Sequence, residues 1–237
     1  MKLNKYIDHT NLAPNASESD IRLLCAEALE YDFAAVCVSP TWVKLAADLL
    51  SKSEVKVCTV IGFPTGAHAA GTKLAEAQLA LVNGAQELDA VINIAALQAS
   101  NYEILSEDIG LLADATHAKG AILKVILETA LLSDEEIIRA CEWCWEFGAD
   151  FVKTSTGMLA ASLSKDGNTG ASIHAVRLMA SKARGSSSVG DPMGIKASGG
   201  IRDRETAMAM IDAGATRIGT SSGIAIVKDD KGSDASY

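Results

Sequence analysis

The sequence of 237 residues lacks long hydrophobic runs and has fewer basic than acidic residues. No apolar stretch approaches the roughly 20 residues that a membrane-spanning helix needs, and the N-terminus lacks the apolar segment of a secretory signal. The 21 basic and 30 acidic residues give a net charge of −9. Because this sign repels phosphate backbones, it argues against nucleic-acid or membrane-surface partners. We therefore expect a cytoplasmic protein.

Cysteine and histidine are too few and too scattered to indicate a metal site. The five cysteines are an odd number, which suits a reducing compartment better than a disulfide framework. Cys141 and Cys144 have the CxxC spacing of redox and zinc sites, but they fall in an amphipathic helical stretch, and no second pair completes a zinc site. The four histidines show no HxH or HxxxH spacing. The sequence thus predicts neither a metal nor an organic cofactor.

Short segments rich in β-branched residues alternate with amphipathic helical segments along the chain. The predicted strands are Lys5–Asp8, Ala34–Val38, Val55–Ile61, Glu87–Ile92, Ala121–Leu127, Asp150–Thr154, Gly194–Ala197 and Thr216–Gly219. The predicted helices are Glu18–Tyr31, Thr41–Leu50, Ala69–Asn83, Tyr102–Ala118, Ser133–Phe147, Ala171–Lys182 and Arg202–Ala213. Ser133 and Glu136 form a predicted capping box. A Gly-Ala pair follows three of the helices, at the expected C-cap glycines Gly84, Gly148 and Gly214.

Eight strands separated by helices predict an α/β fold with a parallel sheet, closed into a single (β/α)8 TIM barrel. The chain length is usual for one such barrel, and the 49% of hydrophobic residues can fill a large core. An open doubly wound sheet is the alternative, but its glycine fingerprint is missing. We expect residues 1–226 to form the barrel as a catalytic domain and the polar residues 227–237 to form a flexible C-terminal tail.

Charged residues lie within or at the ends of the predicted strands, where a TIM barrel carries its active site. Lys153 and Lys196 lie at strand ends, and Asp89 and Lys124 lie inside strands, where a charge is costly unless it is paired. A second ammonium group and an apolar pocket lower the pKa of a lysine from about 10.4 toward about 7–8, so that it can attack a carbonyl carbon. We predict that Lys153 and Lys196 form such a pair, with Asp89 as a proton shuttle. The alternative is that these lysines are ordinary surface residues.

Two glycine-rich segments follow the seventh and eighth predicted strands, where these barrels bind phosphate through backbone N–H groups. The alternative is that they are ordinary turns. Cys37, at the end of the second strand, could face the same pocket, although a small buried core residue fits it as well. The candidate phosphate-binding residues are Gly199, Gly200, Arg202, Gly219, Ser221 and Ser222.

The chain resembles the 2-deoxyribose-5-phosphate aldolases, a family of class I aldolases, over nearly its whole length. The resemblance implies that Lys153 forms a Schiff base, that Lys196 and Asp89 transfer protons and that Lys124 joins their network. It implies reversible cleavage of 2-deoxy-D-ribose 5-phosphate to glyceraldehyde 3-phosphate and acetaldehyde. Thr10, Thr156 and Gly157 lie in the matching segments and are further substrate-binding candidates. The segments are Asp8–Leu12, Val36–Val38, Gly62–Gly66, Glu87–Asp89, Leu123–Thr129, Phe151–Gly157, Lys196–Arg202 and Gly219–Ser222.

One branch of this family ends in a tyrosine that folds into the site, so the resemblance makes Tyr237 a catalytic candidate. The same branch has a phosphate-contacting lysine directly after Gly157, where this chain has Met158. We therefore expect the phosphate group of the substrate to be bound less tightly.

Two other functions remain open alongside this resemblance. They are another Schiff-base aldolase or transaldolase on the same barrel, and a non-catalytic sugar-phosphate sensor. A sensor needs no lysine of lowered pKa, which argues against the second. The expected partners are sugar phosphate and aldehyde substrates, and the expected assembly is a homodimer.

Overall fold

Eight parallel strands pair in sequence order, and the last pairs with the first, so that the sheet closes into a barrel. The structure is a computed structural model that describes residues 2–159, 170–183 and 192–228. The predicted (β/α)8 TIM barrel is thereby confirmed. The strands are β1 (Ile7–Asn11), β2 (Ala35–Val38), β3 (Lys56–Ile61), β4 (Glu87–Val91), β5 (Ile122–Ile126), β6 (Phe151–Lys153), β7 (Gly194–Ser198) and β8 (Arg217–Thr220).

Helices surround the barrel, and in the described parts of the chain none is long and apolar enough to cross a membrane. The residues that the structure describes include three short 3-10 helices, at Leu3–Tyr6, Pro40–Trp42 and Thr129–Leu131. The α-helices described are α1 (Glu18–Glu30), α2 (Val43–Leu50), α3 (Ala70–Val82), α4 (Ile94–Gln98), α5 (Tyr102–His117), α6 (Asp134–Glu146), α7 (Ile173–Ala183), α8 (Arg204–Asp212) and α9 (Gly223–Lys228).

The helix ends form as the sequence predicts. The Ser133 hydroxyl accepts a hydrogen bond from the Glu136 N–H, and the Glu136 carboxylate accepts one from the Ser133 N–H, which completes the capping box of α6. Gly84, Gly148 and Gly214 have φ angles of +104°, +89° and +120°. These conformations favour glycine, so each of the three residues can end a helix and turn the chain toward the next strand.

The bounds of the first strand were predicted wrongly. The segment Lys5–Asp8 was expected, but residues up to Tyr6 form a 3-10 helix and β1 runs over Ile7–Asn11. The residues after Asp8 are polar, so the hydrophobic pattern does not reveal that they belong to a strand. They are part of β1 because Asp8–Asn11 pairs in register with β2. Two short elements, α4 and the 3-10 helix at Thr129–Leu131, were missed because five and three residues are too few to show a helical period.

The last described helix, α9, ends at Lys228, two residues beyond the predicted end of the barrel. Val227, which the prediction assigned to the tail, packs against the hydrophobic core because the helical turn carries it there. Residues 229–237, the rest of the predicted tail, lie outside the described residues.

The barrel has its main hydrophobic core outside the sheet, between strands and helices. Residues of one strand face, such as Val36, Leu88 and Val152, belong to this core. The interior of a TIM barrel is normally filled with branched aliphatic side chains. Here much of the opposite, inward face is charged and still buried, with Asp89 and Lys124 both 0% exposed. This interior is where the candidate site lies.

Two glycine substitutions test the backbone argument. Gly110 lies inside α5, and a Cβ built there meets nothing within 4 Å, so Gly110→Ala should stabilise the protein by about 0.5–1 kcal/mol. A Cβ on Gly214 would lie 2.6 Å from that of Ala180, at φ +120°, so Gly214→Ala should destabilise it by more than about 1 kcal/mol. Urea unfolding of both variants measures the difference. Equal stabilities would contradict the assigned conformation of Gly214.

Candidate active site

The carboxylate of Asp89 is the common partner of three buried lysines. Its Oδ2 lies 2.8 Å from Nζ of Lys153 and 2.8 Å from Nζ of Lys196. Its Oδ1 accepts a hydrogen bond from Lys124 at 2.9 Å and one from the Cys58 thiol at 3.1 Å. The amino groups of Lys153 and Lys196, which share one oxygen, are thereby held close together. This arrangement is costly to bury unless the carboxylate stays ionised.

Further ion pairs extend this group toward the opposite end of the barrel. Lys196 also pairs with Asp8, and Lys124 lies 2.6 Å from Glu87. Arg217 lies 2.7 Å from Asp8 and 3.2 Å from Glu87. We call the seven connected residues the buried charge cluster: Asp8, Glu87, Asp89, Lys124, Lys153, Lys196 and Arg217.

Strand register explains why residues far apart in sequence meet here. In the register of the sheet, Lys153 on β6 lies opposite Lys196 on β7, and Asp89 on β4 lies opposite Lys124 on β5. Because side chains alternate between the two faces of a strand, these four and Glu87, two residues before Asp89, all face the interior. The structure thus brings the three predicted lysines into contact with Asp89. Side chains at most 4% exposed do not fit the alternative of surface lysines.

The ion pairs outweigh the effect of burial on the titration of the cluster. Burial would raise the pKa of Asp89, but the three lysines hold it well below its usual value. Burial would lower the pKa of Lys196, but Asp8 and Asp89 raise it above its usual value. The pKa of Lys124 is raised against burial in the same way, first of all by Asp89. At neutral pH, Asp89 is therefore a carboxylate, and Lys124 and Lys196 are ammonium ions.

A pocket opens above the cluster at the carboxyl ends of the strands. Lys153 is the member of the cluster that lines it in the described part of the chain. The pocket wall comes mainly from the segments after β1, β6, β7 and β8. Predicted binding residues on this wall are Thr10, Thr156, Gly157, Gly199, Gly200, Arg202, Gly219 and Ser221.

Glu128, which is not predicted from the sequence as a site residue, holds the segment after β6 in place. Its Oε2 accepts hydrogen bonds from the N–H and the hydroxyl of Thr156, at 3.0 and 2.6 Å. The Thr156 hydroxyl in turn accepts from the N–H groups of Met158 and Leu159, both at 3.1 Å. Burial raises the pKa of Glu128, while the bonds from Thr156 oppose that shift. Glu128 thus fixes the chain that carries Thr156 and Met158 past Lys153.

The other predicted binding and catalytic residues do not line the pocket, or they lie outside the residues that the structure describes. Ser222 begins the turn into α9, and its N–H donates to the Thr220 hydroxyl at 2.9 Å. Cys37 is fully buried inside the barrel beside Cys58, in a small apolar group that Met158 covers. Tyr237 lies outside the described residues, so its role stays a prediction from the resemblance.

Four residues around Asp89 are not predicted from the sequence as site residues: Asp8, Glu87, Arg217 and Cys58. A signal existed for Glu87, because it lies two residues before Asp89 and therefore on the same strand face. Arg217 lies two residues before Gly219, a predicted binding residue, and so shares its face. Asp8 lay at the end of a strand whose bounds were predicted wrongly. For Cys58 the hydrophobic pattern gives no warning, since a buried cysteine is an ordinary core residue.

Three atoms of Cys37, Cys58 and Asp89 lie within 4.8 Å of one another, close enough to hold a metal ion. In this structure the Asp89 oxygens already accept hydrogen bonds from the amino groups of three lysines. A cation placed there would have to displace at least one lysine against charge repulsion, so the donor set does not fit a resident metal.

The barrel, with its buried lysines beneath a glycine-lined pocket, defines a (β/α)8-barrel enzyme. Residues 2–229 match the DeoC/LacD family aldolases. A deoxyribose-phosphate aldolase of Streptococcus sanguinis is 50% identical over 233 residues, which are 98% of this chain and 99% of that protein. One of Thermococcus gammatolerans is 53% identical over 230 residues, 96% of each chain. The tetrameric structure of deoxyribose phosphate aldolase from Aeropyrum pernix matches with a TM-score of 0.84 and 36% identity, covering 95% of this chain and 89% of that one. The chain belongs to the DeoC/LacD aldolase family.

Removal of the central carboxylate should destabilise the fold in a pH-dependent way. Asp89→Asn leaves Lys124 and Lys196 without their shared counter-ion, at a cost of about 3–5 kcal/mol at pH 7. The pKa of Asp89 is held well below its usual value in the folded protein, so the stability that its carboxylate contributes is present above the unfolded pKa of about 3.9 and is lost as the pH falls below it. The deficit of the variant should therefore be largest near pH 7 and shrink toward pH 3. Urea unfolding at pH 7 and pH 3 measures it.

The control for that experiment is Asp48→Asn. Asp48 forms an exposed pair with Lys44 on α2, so its loss should change the free energy of unfolding by less than about 1 kcal/mol at either pH. A deficit for Asp89→Asn no larger than that of the control would show that the cluster does not depend on Asp89.

Proposed function

We propose that this protein is a class I aldolase that reversibly cleaves 2-deoxy-D-ribose 5-phosphate to D-glyceraldehyde 3-phosphate and acetaldehyde. The observation that carries the proposal is the position of Lys153. Its amine lies at the floor of the pocket, 2.8 Å from a carboxylate oxygen that also binds a second ammonium group. Family membership supports the reaction class, and the names of the relatives at about 50% identity support the substrate.

In the proposed reaction, neutral Lys153 attacks C1 of the open-chain sugar. The resulting carbinolamine loses its hydroxyl group as water and becomes a protonated imine. Asp89 is the group through which protons pass, because its Oδ2 contacts both Lys153 and Lys196. Lys196, held as an ammonium ion, is the acid that protonates the departing hydroxyl group. Lys124 holds Asp89 from the other oxygen and orients it.

Carbon–carbon cleavage then uses the imine as an electron sink. A base removes the proton of the C3 hydroxyl group, the C2–C3 bond breaks, and its electron pair moves to the imine nitrogen as an enamine forms. Glyceraldehyde 3-phosphate leaves with the new carbonyl group. Protonation of the enamine carbon and addition of water to the imine release acetaldehyde and regenerate the Lys153 amine. No electrons enter or leave, so the scheme needs no redox partner.

The phosphate group is assigned to the glycine-rich wall of the pocket. Gly199 and Gly200 have φ angles of +92° and +78°, which turn the backbone in a way that favours glycine. Backbone N–H groups of such turns bind anions without adding a charge. Arg202 and Ser221 on the same wall supply a cation and a hydroxyl group. These local donors offset the repulsion expected from the net charge of −9.

The other candidates differ in what the lysine does. A sugar-phosphate sensor would bind the same ligand without forming a covalent bond, and another barrel aldolase would use a different donor from acetaldehyde. The homodimer expected from the sequence is part of the proposal, and sedimentation velocity tests it. The Aeropyrum pernix relative is described as tetrameric, so a tetramer is the outcome that would replace it.

Trapping should place the covalent bond on Lys153. Borohydride added to protein with acetaldehyde should reduce the imine and add two carbons to the peptide that carries Lys153. Lys153→Met should abolish the label without unfolding the barrel, since methionine fills a similar volume. Peptide mass spectrometry locates the label. A label on Lys124 or Lys196 in the unaltered protein would contradict the assignment, and no label at any pH would favour the sensor.

Met158 should weaken the preference for phosphorylated substrate. It lines the pocket directly after Gly157, so Met158→Lys places an ammonium group beside the glycine-rich wall. A charge-assisted contact that stays partly exposed should lower KM for the phosphorylated sugar by roughly three- to tenfold. Steady-state assays with 2-deoxyribose 5-phosphate measure this effect. The unphosphorylated sugar is the control, and an equal change in KM for both sugars would contradict a phosphate contact.

A further inference from the structure

Arg217 and Glu87 lie at the end of the buried charge cluster that is remote from the pocket. Nη1 of Arg217 donates to Asp8 at 2.7 Å and lies 3.2 Å from a Glu87 oxygen. Glu87 lies 2.6 Å from Lys124. Neither Arg217 nor Glu87 is among the described residues that line the pocket. Both are thus placed to act on the chemistry through charge alone.

The register of the barrel sets their distance from Lys153. Lys153 pairs with Lys196, and Lys196 pairs with Arg217, so Arg217 lies two strands away, roughly 10 Å at the usual strand spacing. Glu87 faces the interior two residues before Asp89 on β4. The ring of Phe151 packs against the guanidinium group, 5.8 Å from its centroid, which keeps Arg217 in place.

The cluster contains one more basic than acidic group. Four cations (Lys124, Lys153, Lys196 and Arg217) face three carboxylates (Asp8, Glu87 and Asp89), and the most exposed side chain, Arg217, is 14% exposed. A buried positive charge without a counter-ion is costly, and loss of a proton by one of the lysines removes that excess charge.

Lys153 is the cation best placed to lose that proton. Arginine does not release one. Lys124 and Lys196 each contact two carboxylates, whereas Lys153 contacts only Asp89 among the described residues.

We propose that Arg217 and Glu87 set, from below the site and with opposite sign, the pH at which Lys153 becomes a nucleophile. Arg217 favours the neutral amine and Glu87 favours the ammonium form. Both are positioning residues, since they act through the cluster and not on the substrate. The inference rests on the proposed Schiff-base function of Lys153.

Lys153 faces charged or titratable groups from every side of the barrel. Glu128 is hydrogen-bonded to Thr156, and the charge of Lys153 acts on it. The Cys58 thiol donates to Asp89 at 3.1 Å and lies 3.4 Å from Nζ of Lys124. Glu128 and both thiols are left unaltered in the Arg217 and Glu87 variants. The groups are Asp8 on β1, Cys37 on β2, Cys58 on β3, Glu87 and Asp89 on β4, Lys124 on β5 with Glu128 beyond its end, Lys196 on β7 and Arg217 on β8.

The two substitutions should move the acidic limb of the pH profile in opposite directions. Arg217→Met removes a positive charge, so Lys153 keeps its proton to higher pH and the limb moves up. One charge at about 10 Å with an effective dielectric constant near 20 shifts it by roughly one pH unit. Glu87→Gln removes a negative charge, so the limb moves down by a similar or smaller amount.

The readout is the rate of imine formation with acetaldehyde between pH 5 and 9, followed by rapid mixing and borohydride quench. Acetaldehyde carries no phosphate group, so altered phosphate binding does not enter the profile. Arg217→Lys keeps the charge and should leave the limb close to that of the unaltered protein, even if the rate falls. Lys182→Met and Glu142→Gln are surface controls, because they change the net charge equally at an exposed pair. Their limbs should stay in place.

Limbs that stay fixed in both variants, or that move in the same direction, would overturn the inference. A purely structural role would lower rate and stability in both variants but would not produce opposite shifts. If Arg217→Met does not fold, Glu87→Gln alone decides, since an unmoved or raised limb overturns the inference. Absence of any imine in the unaltered protein would instead overturn the proposed function, and this inference with it.

Discussion

The ionised carboxylate of Asp89 is the interaction on which the interior of this barrel depends. It binds the amino groups of three lysines and a thiol through two oxygens, so four strands converge on one side chain. Without it, like charges would face one another in a volume from which water is largely excluded. The same carboxylate gives the site its geometry, because it holds Lys153 and Lys196 at equal distances from one atom. Stability and proposed catalysis therefore share one group, and a change at Asp89 should affect both.

A charged interior requires that the fold find its hydrophobic stabilisation elsewhere. The contacts between the outer face of the strands and the surrounding helices supply it, with residues such as Leu88 and Val152 fully buried there. This division explains how strands that carry buried charges remain stable. The strands present an aliphatic face to the helices, while part of the face toward the interior is charged, as on β4 with Glu87 and Asp89. The ion pairs contribute little net stability by themselves, but they fix the register of the interior because each charge has few acceptable partners.

The sequence predicts the fold and roughly half of the residues that form the site. Physical reasons explain which residues could be predicted and which could not. Alternating strands and helices, with glycine after three of the helices, predict the barrel, because periodicity and C-caps are local properties. Lys153, Lys196, Lys124 and Asp89 were recognisable because a charge inside an apolar strand is conspicuous. Asp8 was not, because the polar residues that follow it hide β1 from the hydrophobic pattern. Arg217 gave a weaker signal, because it begins β8 and shares its strand face only with Gly219. Glu128 was hidden for another reason: its role depends on Thr156, a contact that the chain makes only after the strands pair.

The separation between the charge cluster and the anion-binding wall follows from the electrostatics of the cluster. A phosphate group brought among the buried lysines would supply the negative charge that the cluster lacks. Lys153 would then hold its proton and lose its nucleophilic character. In the pocket the two functions are separated in space. The candidate hydrogen-bond donors to phosphate lie at and after the ends of β7 and β8, and much of that wall is backbone of Gly199, Gly200 and Gly219. Neutral N–H donors bind an anion without adding a charge that Lys153 must accommodate. In the proposed function the glycine-rich wall would bind the phosphate group and, by keeping the anion apart from the cluster, would also protect the proton balance on which the Lys153 amine depends.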